Sequence, residues 1–215
     1  MPLALQLRHA PSLDDFVIGA NQVVVDALKH SLAGNGETLL YLSGPSGCGR
    51  SHLLAGQCAL GERHGLRCVY LPLAQHVELA PEMLQGLEQL DLVAVDDVQT
   101  VAGNPAWEAA LFALFNRCRD RGCRLLVSAT RGPAVLPLAL PDLRSRLSWD
   151  LTMALKPLDD EGRRELLKSL ADRRAMQLPD DAARYLLERA PRHPSKLVKM
   201  IEQLDQASLA RQRHL

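Results

Sequence analysis

The segment Gly44-Pro45-Ser46-Gly47-Cys48-Gly49-Arg50-Ser51 constrains this chain more than any other. An apolar run, Leu39-Leu40-Tyr41-Leu42, precedes it, and His52-Leu53-Leu54-Ala55 opens a helical run after it. A glycine-rich loop between a strand and a helix is the context of a phosphate-binding loop. Glycines let successive backbone N–H groups converge on an anion without a Cβ in the way. The helix that follows adds the positive end of its dipole. The expected nucleotide contacts are therefore Gly44, Pro45, Ser46, Gly47, Cys48, Gly49, Arg50, Ser51 and His52. Ser51 places a hydroxyl where the motif holds Mg²⁺. Arg50 stands where the motif has lysine, so a planar guanidinium replaces a compact point charge.

A second signal agrees with the first. Leu92-Val93-Ala94-Val95 runs into Asp96-Asp97. An apolar run of this length, ending in acids, reads as a buried parallel strand that delivers carboxylates at its C-terminal edge. Ligands of open α/β sheets bind at that edge. Asp96 is expected to hold Mg²⁺ through water, and Asp97 to orient the attacking water. Ser128 and Thr130, at the end of the run Arg124-Leu125-Leu126-Val127, are placed to sense a terminal phosphate, or are ordinary strand-end polar residues. Phe16, Val17 and Ile18 form an apolar wedge suited to an adenine face. The competing reading is a hydrophobic staple on the next helix.

Periodicity organises the rest. Strands are expected at 39–42, 68–73, 92–97, 124–128 and 149–154, with helices at 22–32, 52–60, 81–90, 106–119 and 141–149. Asn21 is expected to N-cap the first of these helices. Lys156-Pro157-Leu158 breaks the pattern, and beyond it the chain reads as helices at 161–174, 181–189 and 195–210. The expected fold is α/β, a parallel-sheet core at 12–156 followed by a small helical lid at 157–215. Residues 1–11 form an apolar tail, either disordered or a motif that docks on a partner.

Charge and cysteine usage narrow the function. Lys+Arg and Asp+Glu number 25 each, which lacks the basic footprint of an autonomous DNA binder. No apolar run reaches membrane-spanning length, and the N-terminus has no secretory pattern. Five cysteines without a CxxC pair argue against a disulfide framework or a zinc site. Reduced thiols in a cytoplasmic protein are expected.

Together these motifs resemble the AAA+ ATPase module of the bacterial replication initiator DnaA, over nearly the whole chain. Phe16-Val17-Ile18-Gly19-Ala20-Asn21 is similar to the family's adenine box, and Asp96-Asp97-Val98-Gln99 to its Walker B motif. Ser145-Arg146-Leu147-Ser148-Trp149 resembles the box that carries an arginine finger, which falls on Arg146. The phosphate-facing arginine implied at the start of the last helix falls on Ser195, beside Lys196. Gly49-Arg50-Ser51-His52-Leu53-Leu54 and the ending at 203–213 resemble the short regulatory members, which lack the initiator's interaction and DNA-binding domains.

The resemblance implies an adenine nucleotide, ADP or ATP, with Mg²⁺. It also implies a negative regulator of chromosomal replication initiation. Such a regulator acts with the DNA-loaded sliding clamp, which the 1–11 tail would dock. It presents Arg146 to ATP held by DnaA, so that hydrolysis occurs on the partner. DNA contact would be indirect, through the clamp on the nucleoid, with no membrane association, and homo-oligomers are allowed. The alternative is an autonomous P-loop ATPase such as a helicase loader or DNA-remodelling motor.

Overall fold

The computed structural model describes residues 12–75, 80–189 and 193–210. The 1–11 tail and residues 211–215 of the expected lid, which include part of the 203–213 ending, lie outside them.

Five parallel strands form one sheet: β1 (Leu39–Ser43), β2 (Cys68–Pro72), β3 (Leu92–Asp96), β4 (Arg124–Ala129) and β5 (Leu151–Ala154), in the order β2-β3-β4-β1-β5. Buried on both faces, β1 and β3 read as unbroken apolar runs rather than alternating ones. Four helices flank the sheet: α1 (Gln22–Leu32), α2 (Arg50–Arg63), α3 (Pro105–Arg121) and α4 (Pro141–Leu147). One core layer joins α1 and α2 to Leu40, Leu42, Leu92, Ala94 and Leu126. The other joins α3 and α4 to Leu39, Tyr41, Val93, Val95 and Val127. On α3 the residues Trp107, Leu111, Leu114, Phe115 and Cys118 are buried, as their spacing predicts, and Gly122 ends the helix at φ +70°.

The lid follows as α5 (Asp160–Asp172), α6 (Asp180–Arg189) and α7 (Pro194–Ala210). It has its own core of Leu167, Leu170, Ala171, Met176, Ala183, Leu197 and Ile201. The fold is thus an α/β core with a parallel sheet, followed by a helical lid.

Local expectations fail at two places. The region expected as one helix at 81–90 is two 3-10 turns, Pro81–Leu84 and Leu87–Gln89. Gly86 stands between them at φ +80°, a conformation that interrupts helix propagation. Asn21 makes no side-chain cap on α1. Its amide instead donates to the Lys156 carbonyl at 3.0 Å and accepts from the Lys156 N–H at 2.8 Å. This pair fastens the N-terminal segment to the boundary between core and lid. The same segment reaches the lid again through Asp15, paired with Arg173 at 2.7 Å.

Candidate functional site

The β1 backbone turns at Gly44, whose N–H donates to the Ala129 carbonyl of β4 at 3.2 Å. Gly47 and Gly49 both adopt left-handed φ, +83° and +101°. A Cβ on Gly49 would stand 2.6 Å from the Phe16 ring, so the N-terminal segment closes directly on the loop. Phe16 therefore packs on the loop's last glycine, and Val17 beside it is buried. Phe16 is thus held against the loop that precedes α2.

Arg50 begins α2 and turns back across the loop. Its guanidinium donates to the Gly44 carbonyl and pairs with Asp97 at 2.7 Å, with only 7% of the side chain exposed. Its Nε is buried with no partner in the protein. Arg50 thus ties the phosphate-loop entrance to the second acid at the end of β3.

Asp96 is 1% exposed and is held on both oxygens. One accepts from the Ser128 hydroxyl, and the other from the Tyr70 hydroxyl at 2.8 Å. Burial first, and then the Asp96 charge, push the Tyr70 phenol well above its ordinary value, so it remains a donor. Ser51 lies against the same Tyr70 hydroxyl. Ser51 and Asp96, expected to act together on Mg²⁺, are thus brought to one place by Tyr70. Among the described residues no cluster of His, Cys, Asp or Glu could hold a metal unaided. One hydroxyl and one carboxylate fit an ion that keeps most of its water and binds through substrate phosphates.

Asp97 adopts left-handed φ of +59°, which aims its carboxylate back over the loop. It accepts from Arg50 and from the Gln99 amide at 2.9 Å. The Gln99 carbonyl in turn accepts the Thr130 N–H at 3.1 Å. Ser128 accepts the Asp97 N–H at 3.2 Å while donating to Asp96. Ser128 therefore joins the two acids, and its hydroxyl is engaged with them. Tyr70 and Gln99 are part of the site without having been singled out by spacing. Gln99 stands two residues from Asp97, inside the run that resembles a Walker B motif, whereas Tyr70 carries no local signal at all.

His52 is on α2, but its imidazole serves a different contact. Its Nε2 lies 2.8 Å from the Ser12 carbonyl, which can only accept, so the nitrogen donates. Burial holds this imidazole below the usual histidine value, in its neutral form. The side chain anchors the N-terminal segment, and only the His52 backbone is left for the loop. Cys48, also in the loop, is buried, and burial raises its thiol. All five cysteines are free thiols. Across the loop lies the lid, whose His193 Nε2 is 3.0 Å from the Ser46 hydroxyl.

Arg146 is elsewhere. It lies near the end of α4, its guanidinium 4.4 Å from the centre of the Trp149 ring and 5.9 Å from that of Phe115. Asp150, next to Trp149, accepts from the Leu39 N–H at 3.0 Å, at the start of β1. The phosphate loop begins at the other end of that strand. Four residue steps at about 3.3 Å each put about 13 Å of strand between the two places. Arg146 is on the opposite edge of the sheet from its own loop. Arg144 points inward to the Leu138 carbonyl and is half-buried.

Residues 7–154 match the model of the bacterial DnaA ATPase domain, and residues 160–215 match the model of the Hda lid domain. The chain is similar to domain III of DnaA from Thermotoga maritima, at 22% identity and a TM-score of 0.79, over 95% of this chain and 91% of that one. It is similar to AMPPCP-bound DnaA from Aquifex aeolicus at 21% identity and a TM-score of 0.73, over 93% and 65%. The Thermotoga maritima RuvB Holliday junction branch migration motor matches at 18% identity and a TM-score of 0.71, over 95% and 67%. The chain spans 64% of the length of a crystallised DNA replication initiation factor that it also matches. At such identities the likeness to solved structures concerns the fold. The family model covers all five strands, the 44–51 loop, Asp96 and Asp97, and on that match the chain belongs to the bacterial DnaA ATPase-domain family.

Proposed function

We propose that this protein binds an adenine nucleotide, ADP in its resting form, and acts as a negative regulator of replication initiation. It presents Arg146 to ATP held by the initiator DnaA, and hydrolysis occurs there. The DNA-loaded sliding clamp supplies location, DNA contact is indirect, and the protein works in the cytoplasm at the nucleoid. No described helix is long and apolar enough to cross a membrane.

The observation that carries this reading is the place of Arg146. A strand's length separates it from its own phosphate loop, and among the described residues its guanidinium rests on the faces of aromatic rings. A guanidinium so placed can serve a neighbouring subunit's nucleotide, where it would stabilise charge developing on the γ-phosphate. The family match and the AMPPCP bound to the Aquifex aeolicus relative support adenine nucleotide at the loop.

This chain's own residues give each part a role. The loop N–H groups and Arg50 bind phosphate. Ser51 and Asp96 are the residues that would hold Mg²⁺, which would supply positive charge against the phosphates. Asp97, paired with Arg50, is restrained from acting on water. That pair disfavours the autonomous motor, in which the second acid must be free to polarise its nucleophile.

The test is hydrolysis scored on each component. The protein is incubated with radiolabelled ATP alone, then with ATP-loaded DnaA and DNA-loaded clamp. The expected outcome is little turnover alone and conversion of DnaA-bound ATP to ADP in the mixture. Steady turnover by the protein alone at ~1–100 s⁻¹ would instead make it a motor.

A further inference from the structure

His193 precedes α7 and lies over the phosphate loop, 147 positions from Ser46 in sequence. Its Nε2 is 3.0 Å from the Ser46 hydroxyl, and its Nδ1 is 2.7 Å from the Ser195 hydroxyl. The ring is pressed against Gly47. A Cβ there would stand 2.7, 2.8 and 2.9 Å from three ring atoms of His193. Among the described residues of the lid, His193 is the one hydrogen-bonded to the loop. Most cationic side chains of α5 and its end are paired elsewhere: Arg164 with Glu161, Lys168 with Asp180, Arg173 with Asp15, and Arg174 with Glu202 and Asp205, while Arg163 pairs with Asp160 through Nη1 and keeps a buried Nε and Nη2 without a partner among the described residues.

We infer that His193 is a nucleotide-phosphate contact carried by the lid, with Ser195 as its orienting partner. The inference rests on reading the 44–51 loop as the phosphate site. A neutral imidazole has one donor and one acceptor nitrogen. When the Ser195 hydroxyl donates to Nδ1, the proton lies on Nε2, which faces the loop. Ser46 Oγ accepts that proton in this structure. A phosphate oxygen entering the loop beside Ser46 and Gly47 takes the same N–H as a charge-assisted hydrogen bond, which is stronger than the neutral one it replaces. Ser195 itself does not reach the loop; its hydroxyl is turned to His193. Through this ring the lid helix α7 is coupled to whether the loop is loaded.

The experiment titrates the full chain with fluorescent mant-ADP and mant-ATP in Mg²⁺ and follows hydrogen exchange along α7. Three variants are compared with wild type: His193→Ala, His193→Leu, which fills the same space without a donor, and His193→Gln, which keeps an N–H donor. His193→Leu should weaken both nucleotides about tenfold and lose the nucleotide-dependent slowing of exchange in α7. His193→Gln should stay within about threefold of wild type and keep that slowing. A ring that only fills space predicts that the leucine variant binds as tightly as wild type. That result overturns the inference, whether or not His193→Ala folds. If wild type itself binds neither nucleotide, the phosphate-loop reading falls and takes this inference with it.

Discussion

The two edges of the sheet each carry an arginine, and the two are held in opposite ways. At the C-terminal edge Arg50 is buried and neutralised by Asp97 at 2.7 Å. At the N-terminal edge Arg146 is half-exposed, on the Trp149 ring at 4.4 Å, and Trp149 itself is 56% exposed. A carboxylate cancels a guanidinium's charge and commits it to its own site. An aromatic face orients the same group through its quadrupole and leaves the charge whole. The cost of removal differs accordingly: about 3–5 kcal/mol for breaking a buried ion pair, against about 0.5–1 kcal/mol for an exposed cation–π contact. One arginine is built into the protein, and the other keeps its charge at the surface, as the proposed role toward a partner requires.

The sharpest way to break this comparison is Arg146→Ala. It should leave folding and nucleotide binding intact and reduce the stimulated hydrolysis of DnaA-bound ATP by about 10³, the lower end for a finger supplied in trans. Phosphate release in the reconstituted mixture measures it. Arg119→Ala is the appropriate control, because Arg119 stacks on the same Trp149 at 5.5 Å. Arg144→Ala would not serve, since that side chain holds the Leu138 carbonyl. Full stimulation by Arg146→Ala would remove the distinction between the two edges.

Next in size is Glu108, which positions the element carrying Arg146. Its carboxylate is fully buried and accepts the N–H groups of Gly103 at 2.6 Å, Ala139 at 3.0 Å and Leu140 at 2.6 Å. Glu108→Ala leaves three buried donors unpaired and should cost about 3 kcal/mol or more. In a chain of this size that lowers Tm by about 6–12 °C. Burial alone would raise this carboxyl, but the three backbone donors outweigh it and hold it below its usual range. A depressed carboxyl stabilises the fold above the ordinary carboxylate value, about 4.3 for glutamate. That stability is lost as pH falls from there through the folded value. Denaturant melts at pH 5 and below should show a shallower acid dependence in Glu108→Gln than in wild type.

Arg50→Lys sharpens the other side. The guanidinium spans the Gly44 carbonyl and Asp97 at once. A single ammonium is a point charge that cannot hold both in the same geometry. Asp97 should be freed, and intrinsic ATP hydrolysis by the isolated protein should rise about tenfold, near 1.4 kcal/mol in the barrier. A lower rate in the lysine variant would mean that Arg50 promotes the reaction rather than restraining it.

Trp149→Ala should have the smallest effect. Losing the platform should cost about 0.5–1 kcal/mol in stability. Stimulation should fall severalfold rather than vanish, because Arg146 keeps its charge and loses only its orientation. Trp149→Phe, which keeps an aromatic face, should recover most of the rate in the same assay. If the alanine variant were as inactive as Arg146→Ala, Trp149 would itself contact the partner.

The local patterns in the chain were sufficient for much of the architecture. Glycines on either side of a strand-to-helix turn, an apolar run ending in Asp96 and Asp97, and proline-punctuated helices after residue 156 each express backbone geometry within a few residues. For that reason the glycine-rich strand-to-helix turn, the carboxylates at the end of β3 and the α/β core with its lid were legible from sequence alone. Partner choice was not. Asn21 looked like a helix cap and instead holds Lys156, 135 residues away. Tyr70 had no local signal, yet the pairing of β2 with β3 sets it beside Asp96. Arg50 meets Asp97 across 47 residues, and His193 meets Ser46 across 147. Such contacts depend on strand order and on how the lid seats over the core. Those are settled by burying both faces of one sheet at the same time, a condition on the whole chain that no local period records.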